Sequence, residues 1–260
     1  MEKKVIFITG ASSGFGLSLA KQLIDAGHIV YGVGRKDFQL DGLNYSICDV
    51  SDFDNIKEII DNIVEKEGRI DIAVSNAGIG ISGAVEHTPV EDAKRIMDVN
   101  FLGSFNVIKA VLPHLRKLNN GRIVFTSSIA SYVPIPFQAF YSASKAALDS
   151  LIVATRSEVI DYNIKLISVQ PADANTGFTD ARKKSETSDG YSACEKSITA
   201  MEKGEKNGLS SDKVAKVMYK MCFKKHPPLR VVVGAKYKFL TGILKLLPAR
   251  MREWAVRKFY

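Results

Sequence analysis

Tyr141 and Lys145 form a pair whose types and spacing could carry out proton transfer. They lie four positions apart at the start of a helical apolar pattern, so both side chains are expected on one helix face. A free tyrosine has a pKa near ~10 and exchanges protons poorly at neutral pH, whereas a nearby cation favours the phenolate and lowers that pKa. The pair therefore suits proton transfer to or from an alcohol or ketone oxygen. The same spacing is also typical of a core-edge aromatic beside a solvated amine.

A glycine-rich segment near the N-terminus adds a second chemical signal. Residues 5–8 are apolar and β-prone, as in a buried parallel strand, and residues 17–24 repeat apolar side chains at helical spacing. Between them, glycines would let the backbone approach a pyrophosphate, and the helix N-terminus would supply free N–H groups. The spacing is Gly-x-x-x-Gly-x-Gly rather than the usual Gly-x-Gly-x-x-Gly. The predicted dinucleotide contacts in this turn are Gly10, Ser12, Ser13, Gly14, Phe15 and Gly16.

The residues after the second predicted strand indicate which dinucleotide is bound. An Asp or Glu there would accept a hydrogen bond from the ribose 2′-hydroxyl of NAD, but the sequence has Arg35 and Lys36. A basic pair suits the 2′-phosphate of NADP through charge-assisted hydrogen bonds. NADP(H) is therefore the predicted cofactor, with a solvated charge run as the alternative. Asp49 and Val50, at the end of the third predicted strand, are predicted to meet the adenine.

Strands and helices alternate along the chain at the spacing of a parallel, doubly wound sheet. Predicted strands begin near residues 5, 28, 45, 69, 121 and 164. This alternation predicts an α/β fold: a three-layer αβα Rossmann fold in a single domain, with the ligand at the carboxyl ends of the strands. A continuous helix is predicted over residues 89–112, through Asn100, and the fifth strand ends at Ser128. The fourth strand ends in Asn76, Ala77 and Gly78.

These ordered segments make the chain similar to the short-chain dehydrogenase/reductase family over about residues 4–234. The motifs that carry the resemblance are Thr9-Gly10-x-x-x-Gly14-x-Gly16, Asn76-Ala77-Gly78, Asn100, Ser128 and Tyr141-x-x-x-Lys145. The resemblance implies an NADP-dependent oxidoreductase that moves a hydride between the nicotinamide and a secondary alcohol or ketone, in a branch similar to hydroxysteroid and retinol dehydrogenases. It also implies a homodimer or homotetramer.

The resemblance assigns a role to each motif residue. Tyr141 would exchange the proton, Ser128 would hydrogen-bond the substrate oxygen, and Lys145 would bind the nicotinamide ribose while lowering the Tyr141 pKa. Asn100 would hold a water that links Lys145 to solvent. The family commonly has Pro-Gly after the sixth strand, whereas this chain has an alanine, so the local path is expected to differ there. Cofactor contacts are predicted in that segment at Pro171, Ala172, Ala174 and Thr176, in addition to Tyr141 and Lys145.

Residues 177–210 turn polar and charged, and the resemblance places a mobile helical lid over the substrate there. Substrate contacts are predicted at Ser128, Pro136, Phe137 and Phe178. The apolar residues among them suggest a hydrophobic alcohol or ketone, whether aliphatic, steroid-like or retinoid-like, although loop packing would explain them nearly as well. The predicted Rossmann domain, lid included, covers residues 1–235.

The formal net charge of +8 is concentrated at the C-terminus, because residues 236–260 hold seven Lys or Arg and one Glu. A nucleic-acid binder would carry its basic face on the folded domain, so no nucleic-acid partner is expected. The segment 236–260 is predicted to form two short amphipathic helices divided by Pro248. Such helices would suit peripheral contact with a membrane surface. The alternative is a helix pair docked on the domain or on another subunit.

Three scattered cysteines and the lack of an apolar run of about 18 residues predict a cytoplasmic protein without a disulfide framework or a metal site. Any membrane association is then expected at the surface only. A rival to the enzyme hypothesis is an NADP-binding sensor or scaffold protein that keeps the fold without turnover. Such proteins usually lose the tyrosine or the lysine, and this chain has both.

Overall fold

The computed structural model describes residues 2–185, 192–248, 250–251 and 253–254. Its centre is a parallel sheet of seven strands, with two pairs of short strands around it. In chain order the strands are β1 (Val5–Thr9), β2 (Ile29–Gly34), β3 (Leu43–Ile47), β4 (Ile72–Ser75), β5 (Ile81–Ser82), β6 (Gly121–Thr126), β7 (Ile164–Gln170), β8 (Ala174–Asn175), β9 (Lys183–Lys184), β10 (Leu209–Ser210) and β11 (Arg230–Val232). The order across the main sheet is β11-β7-β6-β4-β1-β2-β3, and the short strands pair as β5 with β9 and β8 with β10.

Helices cover both faces of this sheet. The α-helices of the described residues are α1 (Gly14–Asp25), α2 (Phe53–Glu67), α3 (Val90–Met97), α4 (Gly103–Lys117), α5 (Ala139–Glu158), α6 (Ser192–Lys206), α7 (Ser211–Phe223) and α8 (Ala235–Leu246). Helices α1 and α7 pack side by side on one face, and α2 and α4 pack side by side on the other. The chain runs outward from β1 to β3 in one direction and from β4 to β11 in the other. The direction therefore reverses between β1 and β4, where a doubly wound sheet leaves a crevice for a ligand.

Strand β1 shows why this architecture needs a continuous apolar run. Successive side chains of a strand point to opposite faces, and both faces of this sheet are covered. Val5 and Phe7 therefore enter the core shared with α2, α4 and α5, while Ile6 and Ile8 enter the core shared with α1 and α7. Every side chain of this apolar run is thus buried on one face of the sheet or the other. The predicted three-layer α/β fold is confirmed.

Local capping sets the bounds of α2. The Asp52 side chain accepts a hydrogen bond from the Asn55 N–H at 3.1 Å, which satisfies one of the free donors of the first turn. Gly68 ends the helix with a φ of +74°, a left-handed conformation that glycine adopts without steric cost. The buried face between these caps carries Ile56 and Ile60 and fixes the helix on the sheet.

The helix predicted over residues 89–112 is interrupted in the structure. Helix α3 ends at Met97, a π-helical turn covers Asp98–Leu102, and α4 begins at Gly103. Apolar periodicity extends across all three pieces, so the sequence pattern does not reveal the extra residue that a π turn accommodates. The turn places Asn100 in the interior, where it is fully buried.

The C-terminal helix α8 rests on the domain through Thr241 and Leu244, which are buried. The chain then turns at Pro248, and residues 250–251 and 253–254 are helical again. Within the part of the chain that the structure describes, no helix combines the length and the apolar character needed to cross a bilayer.

Candidate active site

Three glycines shape the turn between β1 and α1. Gly10 and Gly14 have φ angles of +67° and +52°, in the left-handed region that favours glycine. A Cβ atom on Gly16 would lie 2.2 Å from the Gly10 carbonyl oxygen, so α1 can approach the turn only where no side chain intervenes. Ser13 precedes the first turn of α1 and makes no side-chain capping hydrogen bond. The first N–H groups of the helix are therefore available to an anionic group.

A cavity of about 390 Å³ opens at the carboxyl ends of the central strands, next to this turn. Its lining combines the glycine turn, the N-terminus of α1 and a basic side chain, which is a donor set suited to the phosphates of a dinucleotide. The predicted cofactor residues that line it are Gly10, Ser13, Gly14, Phe15, Arg35, Asn76, Ala77, Gly78, Tyr141, Lys145, Pro171, Ala172, Ala174 and Thr176. Ala172 is not among the residues with positive φ, so the backbone after β7 does not require a glycine at that position.

The other predicted cofactor contacts lie outside this cavity. They are Ser12, Gly16, Lys36, Asp49 and Val50. Asp49 accepts hydrogen bonds from Ser51 and from Arg95, which is 46 positions away along the chain. Although burial opposes it, these donors hold the pKa of Asp49 at about 2. Val50 is buried, and the Lys36 side chain is exposed. The sequence places Asp49 at the end of a strand, but it does not show that the distant Arg95 binds its carboxylate.

Asn76 joins the ends of three strands beside the cavity. Its side-chain amide donates to the Thr9 carbonyl oxygen at 3.0 Å, and its side-chain oxygen accepts from Thr126 Oγ1 at 2.9 Å. The Thr9 hydroxyl in turn accepts from the backbone N–H groups of Asn76 and Ala77. These bonds fix the loop after β4 against the glycine turn. Thr9 and Thr126 were not predicted as site residues, and threonine at a strand end is too common to identify them.

The residues predicted to transfer a proton meet inside the cavity. Tyr141 and Lys145 lie one turn apart on α5, with Lys145 Nζ 5.8 Å from the centre of the Tyr141 ring. Ser128, just after β6, lies close enough to the Tyr141 hydroxyl to lower its pKa by hydrogen bonding, and both residues line the cavity. Ser128 Oγ also accepts the Ala130 N–H at 3.1 Å, which leaves the serine proton for donation to an oxygen. The two hydroxyl groups can therefore hold one carbonyl or alcohol oxygen between them.

The predicted lowering of the Tyr141 pKa is not the net effect of its surroundings. Burial raises the pKa of Tyr141, and the Ser128 hydrogen bond and the charge of Arg182 oppose that rise. Lys145 is 4% exposed and donates to the Thr126 carbonyl oxygen at 2.8 Å, and burial lowers its pKa to about 8. Spacing on a helix gives the proximity of a cation but not the loss of water around both groups, so the sequence did not predict that burial would dominate the pKa of Tyr141. At neutral pH Tyr141 is a protonated phenol.

Asn100 acts through direct hydrogen bonds to the protein. Its side-chain oxygen accepts the Ile79 N–H at 2.8 Å, and its amide donates to the Ile79 carbonyl at 3.0 Å and to Ser144 Oγ at 3.0 Å. Ser144 Oγ donates to the Tyr141 carbonyl oxygen at 2.7 Å. Asn100 thus ties the loop after β4 to the turn of α5 that carries Tyr141. The side-chain oxygen and amide of Asn100 are thus engaged by Ile79 and Ser144, and a water held by Asn100 stays a prediction.

The far end of the cavity has an apolar wall. Phe178 lies with its ring centre 5.7 Å from that of Tyr141. The other apolar side chains that line this part are Ile129, Ile135, Ala181 and Met201. The predicted substrate contacts Pro136 and Phe137 do not line the cavity. Phe137 instead packs against the cluster of Cys194, Ile198 and Met201 beneath α6. The backbone of Phe137 is left-handed, with a φ of +59°, at the position where its side chain packs against this cluster instead of the cavity.

Two carboxylates, Asp173 and Glu205, also line the cavity. Burial raises the pKa of Asp173, and the Tyr237 hydroxyl opposes this rise by donating to its Oδ2 at 3.0 Å. Glu205, near the end of α6, accepts from Thr179 Oγ1 at 2.7 Å and forms an ion pair with the buried Arg182. These contacts join the loop that carries Phe178 to helix α6. Sequence reasoning missed both carboxylates. Nothing in the composition of residues 177–210 distinguishes Glu205 from its charged neighbours, and Asp173 was not distinguished from the predicted cofactor contacts on either side of it.

Proteins of one known family resemble this chain in sequence and in structure. The model of the short-chain dehydrogenase family matches residues 4–187. A 3-ketodihydrosphingosine reductase of Bacteroides thetaiotaomicron is 40% identical over 100% of this chain and 99% of its own length. A probable short-chain type dehydrogenase/reductase of Helicobacter pylori, VdlC, is 32% identical over 93% of this chain and 92% of its own length. The crystal structure of a short-chain dehydrogenase from Streptomyces avermitilis superimposes with a TM-score of 0.86, at 28% identity, and covers 98% of this chain and 96% of that one.

The chain therefore belongs to the short-chain dehydrogenase/reductase family. It is an oxidoreductase of the alcohol/ketone type, and its fold binds a nicotinamide cofactor. The family match and the whole-length relatives favour the enzyme over the sensor or scaffold hypothesis. None of these three proteins is named as a hydroxysteroid or retinol dehydrogenase, the predicted branch, whereas the Bacteroides protein is named as a reductase of 3-ketodihydrosphingosine.

Proposed function

We propose that this protein is an NADP(H)-dependent reductase of a long-chain α-amino ketone related to 3-ketodihydrosphingosine. That compound is an aliphatic ketone with an amine on the carbon beside the carbonyl. The observation that carries the proposal is the composition of one cavity, which holds Ser128 and Tyr141 beside an apolar wall and the carboxylates Asp173 and Glu205. A hydrophobic chain, a carbonyl oxygen and an ammonium group would each find a complementary surface there. The 40% identical relative supports the same substrate class.

The state of Tyr141 supports reduction of a ketone. Its burial keeps the phenol protonated, so it can act as the acid that donates a proton to the carbonyl oxygen. The bound cofactor would supply the hydride. Ser128 would donate a hydrogen bond to the same oxygen, and the Lys145 ammonium, 5.8 Å from the Tyr141 ring, would offset the charge left on the phenolate. Asn100 and Ser144 hold the turn of α5 so that these groups keep their places.

The preference for NADP(H) rests on Arg35. This exposed side chain follows β2 and lines the cavity, where a carboxylate that would bind a ribose 2′-hydroxyl is replaced by a guanidinium. Arginine forms strong, directional hydrogen bonds with phosphate oxygens. Arg35 would therefore bind the 2′-phosphate. Lys36, which lies outside the cavity, would contribute to NADP(H) binding only through its positive charge.

The amine of the substrate is assigned to the two carboxylates of the cavity. Glu205 is held in place by Thr179 and Arg182, and Asp173 by Tyr237. A carboxylate that is partly removed from water and fixed in position makes a stronger hydrogen bond with an ammonium than a mobile surface group does. A steroid or retinoid alcohol carries no ammonium group, so it would offer these carboxylates no cationic partner.

The test is an NADPH-absorbance assay with 3-ketodihydrosphingosine and with a long-chain 3-ketone that lacks the amine. Tyr141→Phe should lower kcat by about a hundredfold or more while NADPH binding stays measurable. Glu205→Gln should raise KM about tenfold for the amino ketone and leave the value for the deaminated ketone nearly unchanged. Glu202→Gln is the matched control, because Glu202 lies on α6 but pairs with Lys184 outside the cavity.

Three results would count against the proposal. No NADPH oxidation with the amino ketone would remove the substrate class. Equal effects of Glu205→Gln on both ketones would show that the carboxylate acts only through the fold of the lid. Full activity of Tyr141→Phe would remove the assigned proton donor.

We also propose that the enzyme forms a homodimer or homotetramer through the helices around Asn100 and Lys145. Leu102, at the end of the π-helical turn, and Phe105, in the first turn of α4, are exposed, and a second copy could cover them. Light scattering on the purified protein measures the mass directly. A monomer at micromolar concentration would contradict this part.

A further inference from the structure

The C-terminal helix exposes an apolar stripe that the enzyme chemistry does not use. Phe239 is 73% exposed and Leu246 is 87% exposed, and the partly exposed Ile243 lies between them. Spacings of four and three residues put these side chains on one face of α8. The opposite face, with Thr241 and Leu244, is buried against the domain. The exposed side chains are therefore not a consequence of a detached helix.

Exposed apolar side chains also occur beyond α8, in the helical residues 250–251 and 253–254. Met251 and Trp254, the only tryptophan of the sequence, are both more than half exposed. Five of the thirteen large hydrophobic side chains exposed in the described residues thus fall after residue 235. The chain concentrates exposed apolar surface in this short segment, as proteins do where that surface is used for binding.

Basic residues surround the apolar stripe. Lys236, Lys238 and Arg250 are exposed, and residues 236–260 as a whole hold seven Lys or Arg against one Glu. Two copies of the chain that met through this stripe would bring like charges together, which disfavours a subunit interface there. An anionic surface would be attracted by the same charges.

We infer that α8 and the residues after it form a surface that lies on an anionic lipid bilayer. A basic helix with one apolar face binds in the interface between head groups and acyl chains, where the apolar side chains leave water and the Lys and Arg side chains meet lipid phosphates. At 12 residues, α8 is about 18 Å long, too short to cross a bilayer, so it lies on the surface.

The position of α8 connects this surface to the active site. Tyr237, in its first turn, donates a hydrogen bond to Asp173, which lines the cavity. The helix therefore starts at the wall of the substrate cavity, and a bilayer bound to its outer face would lie close to the cavity. The inference goes beyond the proposed function and stands if the substrate proves to be a different ketone, because it depends only on the outer face of α8.

The experiment uses the full-length protein and two kinds of vesicle, phosphatidylcholine alone and phosphatidylcholine mixed with phosphatidylglycerol. The native protein should sediment with the anionic vesicles and much less with the neutral ones. The fluorescence of Trp254 should shift to shorter wavelength on binding, because the indole leaves water. Added salt should weaken binding.

Two surface variants and a control separate the contributions. Phe239→Ser combined with Leu246→Ser should lower the partition onto anionic vesicles by about tenfold or more. Lys236→Glu combined with Lys238→Glu should remove the preference for anionic lipid. Ile47→Ser combined with Val85→Ser alters exposed apolar residues elsewhere and should change nothing. All three should keep NADPH oxidation with a water-soluble ketone, which shows that they fold.

The inference is overturned if the native protein does not bind anionic vesicles, or if the Phe239/Leu246 variant binds them as well as the native protein does. It is also overturned if that variant changes the oligomeric mass in light scattering while vesicle binding is absent. In that case the stripe is a contact between subunits.

Discussion

Replacing Lys145 with methionine should abolish turnover and at the same time stabilise the protein at neutral pH. The Lys145 ammonium is 4% exposed, and burial lowers its pKa from the ordinary value of 10.5 to about 8. The charged form is therefore held in a place where water cannot solvate it. Methionine fills similar volume without a charge, so the variant avoids that cost.

The magnitude follows from the pKa change. A shift of this size corresponds to roughly 3 kcal/mol of destabilisation of the folded protein when the amine is charged. The substitution also removes the hydrogen bond to the Thr126 carbonyl oxygen, which costs about 1 kcal/mol. The net expectation at pH 7 is a variant more stable by about 2 kcal/mol in its free energy of unfolding.

The pH dependence gives a sharper test than the value at one pH. Between about pH 8 and pH 10.5 the unfolded chain binds a proton at Lys145 that the folded chain does not, so native stability rises with pH in this window. The Lys145→Met variant lacks this group. Its advantage over the native protein is full below pH 8 and should narrow by about 2 kcal/mol between pH 6.5 and pH 9.5.

The assay is urea unfolding of the cofactor-free native protein and of the Lys145→Met variant at a series of pH values, followed by circular dichroism. All other ionisable groups are shared, so their effects cancel in the difference between the two proteins. A difference in unfolding free energy that does not change between pH 6.5 and pH 9.5 would refute the assignment of a buried, desolvated ammonium. NADPH oxidation by the same samples should be lost in the variant.

Two further predictions concern the cofactor and the π-helical turn. Arg35→Asp should weaken NADPH binding by about tenfold or more in fluorescence titrations, with NADH binding maintained, while Lys36→Asp should change NADPH affinity by less than about threefold. Equal effects of the two variants would refute the role of Arg35. Asn100→Ala should cost about 2–4 kcal/mol in urea unfolding, because it leaves the partly buried N–H and C=O of Ile79 without their side-chain partner and empties a fully buried position. Asn106→Ala, which removes a single bond, is the control and should cost less.

The sequence predicted the architecture closely, because each element is encoded within a few residues. The run 5–8, the glycines after it and the apolar positions of 17–24 are local patterns, and β1, its turn and α1 form where these patterns predict them. The main error in the fold was the single helix over residues 89–112. The π turn at Asp98–Leu102 is stabilised by contacts of Asn100 with the loop after β4 and with α5, which a local pattern cannot contain.

The residues of the candidate site that local spacing could predict also differ from those that depend on distant contacts. Spacing alone places Tyr141 and Lys145 on one turn of a helix, since that depends only on the geometry of α5. It does not reveal Asp173 and Glu205, which reach the cavity from different segments, or the Arg95 side chain that engages Asp49. It also led to Pro136 and Phe137 as substrate contacts, whereas Phe137 packs under α6.

By itself the sequence determined the parallel sheet and the residues that could exchange a proton, because these depend on periodicity and on spacing along single elements. The resemblance to the family was carried by the order of the motifs along the chain. Only the tertiary structure decided the chemical state of those residues. The pKa of Tyr141 and that of Lys145 depend on how much water the surrounding helices and strands exclude. Exclusion of water is a property of packing between distant segments, so it is fixed when the chain folds and not before.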